Sequence, residues 1–188
     1  MTHHRRLCGT KCYLSPSDET DAPRIQAWEN DLEVLLGASM DGISTPASSL
    51  YRTPNEPSRM LDHMMMIVDL ETDAPIGWCA LFPQIPANRR VFLGIMIGEK
   101  SYWGQGYGTE AVNLILDYGF NVLNVNSVEL GVYAFNQRAI RCYEKVGFKR
   151  IGNHRQARIV AGIAHDTVSM DILASEFGES AIAMTIQQ

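Results

Sequence analysis

The sequence predicts one α/β domain with a mixed, mostly antiparallel sheet of about seven strands and about four flanking helices. With 188 residues, 46% of them hydrophobic, the chain can build one substantial core but not two. Three apolar runs between residues 63 and 97 follow one another at the short spacing of an antiparallel meander. Beyond them, two segments of helical periodicity alternate with apolar runs. We assign residues 1–188 to a single domain, with 1–9 and 176–188 as terminal extensions.

A short strand and a helix are predicted first. Residues Lys11–Leu14 have strand character, and Ser15–Asp18 supply cap and first-turn residues for a helix that continues through Leu32. Between Ser39 and Arg59 the composition changes to Ser, Thr, Pro, Gly and Asn. This composition predicts a loop with at most a short helix, of the kind that often covers a site.

The meander is predicted from three strands, His63–Leu70, Ile76–Phe82 and Val91–Ile97. We expect the triplet Met64–Met66 to contribute to the core rather than to a ligand surface. Val91–Ile97 shows no polar alternation, so we expect a central strand that is buried on both faces.

The C-terminal half is predicted as alternating helices and strands. An apolar stripe from Ala111 to Leu123 indicates one helix, and Gly147 followed by an apolar residue indicates the end of another. The predicted elements are a helix from about Thr109, a strand at Val128–Tyr133, a helix from Asn136 to Gly147, and strands at Phe148–Ile151 and Thr167–Ile172 joined by a polar loop.

Charge and cysteine usage narrow the class of function. The net charge of −5 argues against a nucleic-acid partner, since phosphate contacts need a concentrated basic face. No segment approaches the roughly 20 apolar residues of a membrane span. The four cysteines include no C-x-x-C pair, which predicts a cytoplasmic protein. His3 and His4 near Cys8 and Cys12 match no standard zinc spacing, so we expect no metal.

A glycine-rich loop over residues 101–110 lies between the predicted central strand and a helix. Its amides at Gly104, Gly106 and Gly108 can turn inward at the positive end of that helix, where a phosphate group would fit. A plain strand-to-helix turn is the alternative. A P-loop would need glycine where Trp103 stands, and a dinucleotide fingerprint would need glycine where Thr109 stands.

A second motif follows the loop after one more strand. It is Asn136-x-x-Ala139-x-x-x-Tyr143-x-x-x-Gly147-Phe148. With these two motifs in order, the chain resembles the GNAT superfamily of acetyl-CoA-dependent N-acetyltransferases from about residue 11 to residue 173. Within the superfamily it is most similar to the branch of ribosomal-protein N-terminal and polyamine acetyltransferases. One departure is Trp103, where the superfamily commonly has Gln or Arg.

The resemblance implies how acetyl-CoA, the co-substrate, would bind. The loop would hold the pyrophosphate, the pantetheine arm would lie between two splayed central strands, and Asn136 would hold its inner end, with ordinary N-capping as the alternative for Asn136. The implied residues are Ile95, Met96, Ile97, Trp103, Gly104, Gln105, Gly106, Tyr107, Gly108, Thr109 and Asn136.

The resemblance also implies a general acid, Tyr143, for the departing thiolate. A phenol with a pKa of about 10 is protonated at neutral pH and can donate to the sulfur; a core tyrosine is the alternative role. The attacking amine must lose a proton, and Glu99 and Glu129 are the candidate bases. An acyl intermediate on Cys142 is less favoured than direct transfer, since neighbouring helical residues point about 100° apart.

The sequence therefore predicts an N-acetyltransferase that transfers acetyl to a primary amine in a ternary complex. The acceptor would be a protein N-terminus, a polyamine or another small amine. A non-catalytic acyl-CoA sensor or interaction module is the alternative. The resemblance also suggests a homodimer.

Overall fold

Eight strands form one open sheet in the computed structural model, which describes residues 3–38, 63–178, 180 and 182. The strands are β1 (Leu7–Cys8), β2 (Cys12–Pro16), β3 (Met64–Asp69), β4 (Pro75–Ile85), β5 (Arg90–Ile97), β6 (Ser127–Tyr133), β7 (Lys149–Val160) and β8 (Ile163–Leu173). Their order across the sheet is β1-β2-β3-β4-β5-β6-β8-β7. The α-helices among the described residues are α1 (Ala22–Glu29), α2 (Leu32–Gly37), α3 (Tyr107–Asn121) and α4 (Gln137–Val146). The predicted α/β class with a mixed sheet is confirmed.

The sheet is antiparallel except where β5 pairs with β6. These two strands run parallel and are in register only from Arg90 to Phe92, opposite Ser127 to Glu129. β5 continues to Ile97 and β6 continues to Tyr133, but the two strands no longer pair with each other there. They therefore diverge and open a cleft in the middle of the sheet. The splayed central pair implied by the resemblance is therefore present.

Hydrophobic cores cover both faces of the sheet. Helices α3 and α4 pack on one face, where Met65 and Ile67 of β3 join their core, and α1 packs on the other, where Met64 and Met66 point. Because side chains alternate along a strand, the methionine triplet feeds both cores, as predicted. β5 is central, as predicted, and it contributes buried side chains to both cores, but only three of its eight residues are buried. Most of the others border the cleft, which the apolar run could not reveal.

The N-terminal helix is divided, and the expectation of one helix through Leu32 is wrong. Helix α1 ends at Glu29, and the Asp31 carboxylate accepts hydrogen bonds from the amides of Glu33 (3.0 Å) and Val34 (3.3 Å). In a continuous helix these two amides would donate to backbone carbonyls of the preceding turn. Because the Asp31 side chain accepts from them instead, a new helix starts here.

A long hairpin replaces the polar loop predicted between the last two strands. β7 has 12 residues and β8 has 11, and they pair from Lys149 and Asp171 to Val160 and Ile163. β7 is an edge strand whose side chains are nearly all exposed, so polar residues occupy both of its faces. Such a strand lacks the apolar alternation that marks a half-buried one.

Other local predictions agree with the structure. Gly147 ends α4 with a φ of +115°, and the buried Phe148 returns its amide to the Tyr143 carbonyl at 3.0 Å. The loop predicted over Ser39–Arg59 lies outside the described residues. Among the described helices, none is long and apolar enough to cross a membrane.

Candidate active site

Two cavities meet where β5 and β6 diverge. The first, the loop cavity, has a volume of about 320 Å³ and is bounded by β5, the glycine loop and α4. The second, the sheet cavity, has a volume of about 370 Å³ and is bounded by β4, β5, β6 and the β7–β8 hairpin. The residues that line both are Gly37, Ala38, Ile95 and Tyr143. The cleft is thus continuous, and Tyr143 lies at the junction.

Most of the predicted site residues gather around the loop cavity. Those that line it are Ile95, Met96, Ile97, Trp103, Gly104, Gly106, Gly108, Thr109, Asn136 and Tyr143. Gln105, Tyr107, Glu99 and Glu129 belong to neither lining as the structure describes it. The two sequence motifs, about 30 residues apart in the chain, therefore form one site.

The glycine loop adopts a conformation that suits an anion. Gly104 and Gly106 have φ of +74° and +91°, in the left-handed region that side chains rarely tolerate. Gly106 is the N-cap of α3 and offers no side-chain acceptor, so the first-turn amides of a 15-residue helix lack a capping side chain. A Cβ at Gly104 would meet nothing within 4 Å. These amides fit a phosphate group.

Side chains outside the cavity brace the loop. The Gln105 amide donates to the carbonyl of Ser101, and the Tyr107 hydroxyl donates to Asp69 Oδ1 at 2.7 Å. The Asp69 carboxylate and partial burial raise the pKa of Tyr107 to about 12. These two residues therefore support the loop with their side chains and offer a ligand only their backbone.

Trp103 stacks against an arginine side chain that lines the loop cavity. Its indole Nε1 donates to the Ile97 carbonyl at 2.7 Å, and the Arg138 guanidinium lies over its ring at 4.0 Å from the centroid. Arg138, Arg141 and Lys145 all line this cavity. Sequence reasoning missed them, although their spacing of three and four residues on α4 is the signal of one helical face.

Asn136 caps α4 and connects it to α2. Its Oδ1 accepts from the Ala139 amide at 3.1 Å, and its Nδ2 donates to the Gly37 carbonyl at 2.7 Å. The capping role is therefore present. The second bond fixes the end of α2 beside both cavities, an arrangement that local sequence could not indicate because the two residues are 99 positions apart.

Tyr143 remains protonated in its surroundings. Burial raises the pKa of its phenol above the ordinary value of tyrosine, and the neighbouring Cys142 adds to the rise. Its ring contacts Phe148, with centroids 5.8 Å apart, so the motif's last residue supports its position. Cys142 itself lies 3.3 Å from the Thr109 hydroxyl, and burial raises the pKa of its thiol.

The two candidate bases are engaged in hydrogen bonds. Glu99 accepts from the Trp28 indole at 3.0 Å, beside α1. Glu129 pairs with Arg90 on β5, at the closed end of the β5–β6 divergence. Glu129 shares the sheet face of Gly131 and Tyr133, which line the sheet cavity.

No group of three or more His, Cys, Asp or Glu side chains within the described ranges is arranged to hold a metal ion.

An α/β domain with a split sheet and a glycine loop at a helix N-terminus is an arrangement found in acyltransferases that take their acyl group from coenzyme A. The model of the Acetyltransferase (GNAT) domain matches residues 11–149. The chain belongs to this GNAT N-acetyltransferase family, whose fold uses acetyl-CoA.

Relatives in sequence support the assignment. The chain is 35% identical to the probable N-acetyltransferase YjcK of Bacillus subtilis over 175 residues, which are 89% of this chain and 96% of that protein. It is 33% identical over 90 residues to the spermidine N(1)-acetyltransferase of Escherichia coli K12, but this match spans only 48% of each protein. It is 32% identical to the uncharacterized N-acetyltransferase p20 of Bacillus licheniformis over 59% of this chain and 62% of p20.

Solved structures share the fold. Spermidine N-acetyltransferase from Vibrio cholerae, crystallised with CoA and spermine, matches with a TM-score of 0.79 and 22% identity, over 89% of this chain and 98% of that one. A GNAT-family acetyltransferase from Bacillus anthracis matches with a TM-score of 0.72 and 15% identity, over 90% of this chain and 99% of that one.

Proposed function

We propose that this protein transfers the acetyl group of acetyl-CoA to a primary amine by direct attack in a ternary complex. The observation that carries the proposal is the position of Tyr143. A protonated phenol lies where the loop cavity, proposed to bind acetyl-CoA, meets the sheet cavity, proposed to hold the acceptor. The two substrates would occupy the two cavities and meet at this residue.

The loop cavity is proposed to bind acetyl-CoA. The glycine loop and the N-terminus of α3 hold the pyrophosphate, and Arg138, Arg141 and Lys145 supply positive charge. The pyrophosphate carries two negative charges, which is more than the partial positive charge of one helix N-terminus can neutralise. Charged side chains are therefore needed here.

The backbone of β5 is proposed to pair with the pantetheine arm. The Gly98 amide donates to Ile76 of β4, and backbone groups alternate in direction along a strand. Ile95 therefore directs its amide and carbonyl into the cleft, where β6 has diverged, and Ile97 directs its amide there, while its carbonyl already accepts from Trp103 Nε1. The Met96 carbonyl lies against Gly77 of β4 and so faces away from the cleft. Met96 is therefore predicted to contact the pantetheine arm with its side chain.

Tyr143 is proposed to act as the general acid. The neutral amine attacks the thioester carbonyl, the C–N bond forms, the C–S bond breaks, and the Tyr143 hydroxyl donates its proton to the departing sulfur. The amine's surplus proton leaves toward solvent, and the Tyr143 phenolate takes a proton back from solvent, which restores the phenol. Glu99 and Glu129 remain the predicted bases, and Glu129 is the one on the sheet-cavity face.

Direct transfer is favoured over an acyl-cysteine. Burial raises the pKa of the Cys142 thiol, so little thiolate is available at neutral pH. Its contact with Thr109 also directs it toward α3 rather than toward the sheet cavity.

The test is release of free thiol from acetyl-CoA in the presence of an amine panel. We expect amine-dependent thiol release in a 1:1 ratio with N-acetylated product, measured by mass spectrometry. Calorimetry with CoA runs in parallel. CoA binding without turnover on any amine would contradict the proposal and favour the acyl-CoA sensor.

A further inference from the structure

The turn between β1 and β2 packs against the first turn of α3. A Cβ at Gly9 would lie 2.6 Å from the carboxylate carbon of Glu110, so the backbone of the β1–β2 turn approaches this side chain closely. The Glu110 carboxylate accepts hydrogen bonds from three successive amides of the turn, those of Thr10, Lys11 and Cys12. Glu110 belongs to the first turn of α3, so the β1–β2 turn is fixed beside the glycine loop.

This contact brings the Lys11 side chain to the N-terminus of α3. Its Cε is the nearest side-chain atom to the position of a Cβ on Gly106, at 3.8 Å, and Gly106 is the N-cap residue that lines the loop cavity. Lys11 is exposed and lies outside the lining itself, so its ammonium is at the rim of the cavity. From this position we infer that Lys11 binds the pyrophosphate of acetyl-CoA. The inference rests on the proposed binding of acetyl-CoA in the loop cavity and adds a residue that neither sequence motif contains.

An aromatic ring orients the Lys11 ammonium before a ligand binds. The Nζ atom lies 5.7 Å from the ring centroid of Tyr107, within the roughly 6 Å of a cation–π contact. The Tyr107 ring is held in place, because its hydroxyl donates to Asp69 and the ring makes a T-shaped contact with Tyr102. A cation–π contact is weak at an exposed site, so a phosphate can compete for the same ammonium.

The charge of Lys11 is available to an anion. Within the described ranges, no carboxylate forms a salt bridge with its ammonium. The neighbouring Glu110 carboxylate uses both oxygens for the β1–β2 turn, where the three amides and the Thr10 hydroxyl donate to them. The described cations of the cavity lining all belong to α4, so Lys11 adds positive charge from a second element.

The experiment measures Kd by calorimetry for CoA and for dephospho-CoA, which keeps the pyrophosphate but lacks the 3′-phosphate. We expect Lys11→Gln to raise both Kd values by the same factor, about 5- to 20-fold, between the effect of an exposed ion pair and that of a hydrogen bond to a charged group. Lys11→Arg keeps the charge and should stay close to the wild type. Lys149→Gln is the matched control, because that exposed lysine pairs with Glu176 and lines neither cavity.

Kinetics add a readout that a merely structural role would not give. For Lys11→Gln, the KM for acetyl-CoA should rise while kcat at saturating acetyl-CoA and the Tm stay at their wild-type values. The rise should shrink as the ionic strength increases, because salt screens an exposed charge.

The outcomes separate this inference from the proposed function. A loss confined to CoA would assign Lys11 to the 3′-phosphate and overturn the inference, and so would an unchanged Kd for both ligands. Either result leaves acetyl transfer intact. If the wild type binds CoA but turns over no amine, the proposed function fails, and the two Kd values still decide the role of Lys11. Absence of CoA binding by the wild type would overturn both.

Discussion

The guanidinium carbon of Arg138 lies 4.0 Å from the ring centroid of Trp103. Trp103 follows β5 and Arg138 follows β6, so this contact joins the two strands beyond the point where they diverge. The indole Nε1 is itself bonded to the Ile97 carbonyl, which fixes the plane of the ring. Trp103 thus positions a cation where the superfamily commonly has Gln or Arg in the loop.

This relationship predicts coupled losses of acetyl-CoA affinity. Trp103→Ala and Arg138→Ala should each weaken binding, because the first removes the platform and the second removes the charge. A double-mutant cycle by calorimetry should give a coupling of about 0.5–2 kcal/mol, the range of cation–π contacts. Arg150→Ala is the control, since that exposed arginine pairs with Glu144 outside both cavities. Strictly additive losses would show that the ring does not position the arginine.

Gly106 should be intolerant of any side chain. Its φ of +91° places a Cβ in a strained conformation, at a cost of about 1–2 kcal/mol. Packing is not the cause, because a Cβ would meet nothing nearer than Lys11 at 3.8 Å. Gly106→Val should abolish acetyl-CoA binding measured by calorimetry. Gly152→Ala, where a Cβ meets nothing within 4 Å and φ is not positive, should match the wild type. Tight binding by Gly106→Val would refute the phosphate site.

The Glu110 carboxylate should make stability depend on pH. It accepts from the amides of Thr10 (2.5 Å), Lys11 (2.8 Å) and Cys12 (3.0 Å). Burial alone would raise the pKa of Glu110, but these bonds outweigh it and hold the pKa below its usual value. The stabilisation is therefore present above the unfolded pKa of about 4.3 and is lost as pH falls through the folded pKa.

Urea unfolding of Glu110→Gln checks this sign. The variant should lose about 1–3 kcal/mol at pH 7, since one accepting carboxylate oxygen becomes an NH2 group and the remaining bonds lose their charge, and the difference from the wild type should shrink at more acidic pH. Glu144→Gln, which removes an exposed pair with Arg150, should change stability much less. A difference that grows as the pH falls would contradict the assigned direction.

Short-range patterns predicted the local geometry of the glycine loop and of helix α4. The glycine spacing, the Asn136 cap and the Gly147 stop each depend on neighbours within a few residues, so one segment contains the information. The signal that divides α1 from α2 is equally local. Asp31, two residues before Glu33, caps the first amides of α2, and the sequence prediction missed this cap.

The rest depends on contacts between distant parts of the chain. Glu110 meets the turn at residues 10–12 across about 100 positions, and Asn136 meets Gly37 across 99. The hairpin of β7 and β8 was hidden because an exposed edge strand has no apolar alternation. The aromatic sheet cavity arises from β4, β5 and β6 together, so no single segment indicates it.

The most direct test of the account is the kinetics of Tyr143→Phe. We predict a kcat lower by about 10²-fold or more, as expected for loss of a general acid, with an unchanged Kd for acetyl-CoA. Tyr118→Phe, whose hydroxyl contacts Arg6 away from the cleft, should retain the wild-type kcat. A Tyr143→Phe variant that turns over as fast as the wild type would contradict the central claim that this phenol protonates the departing thiolate.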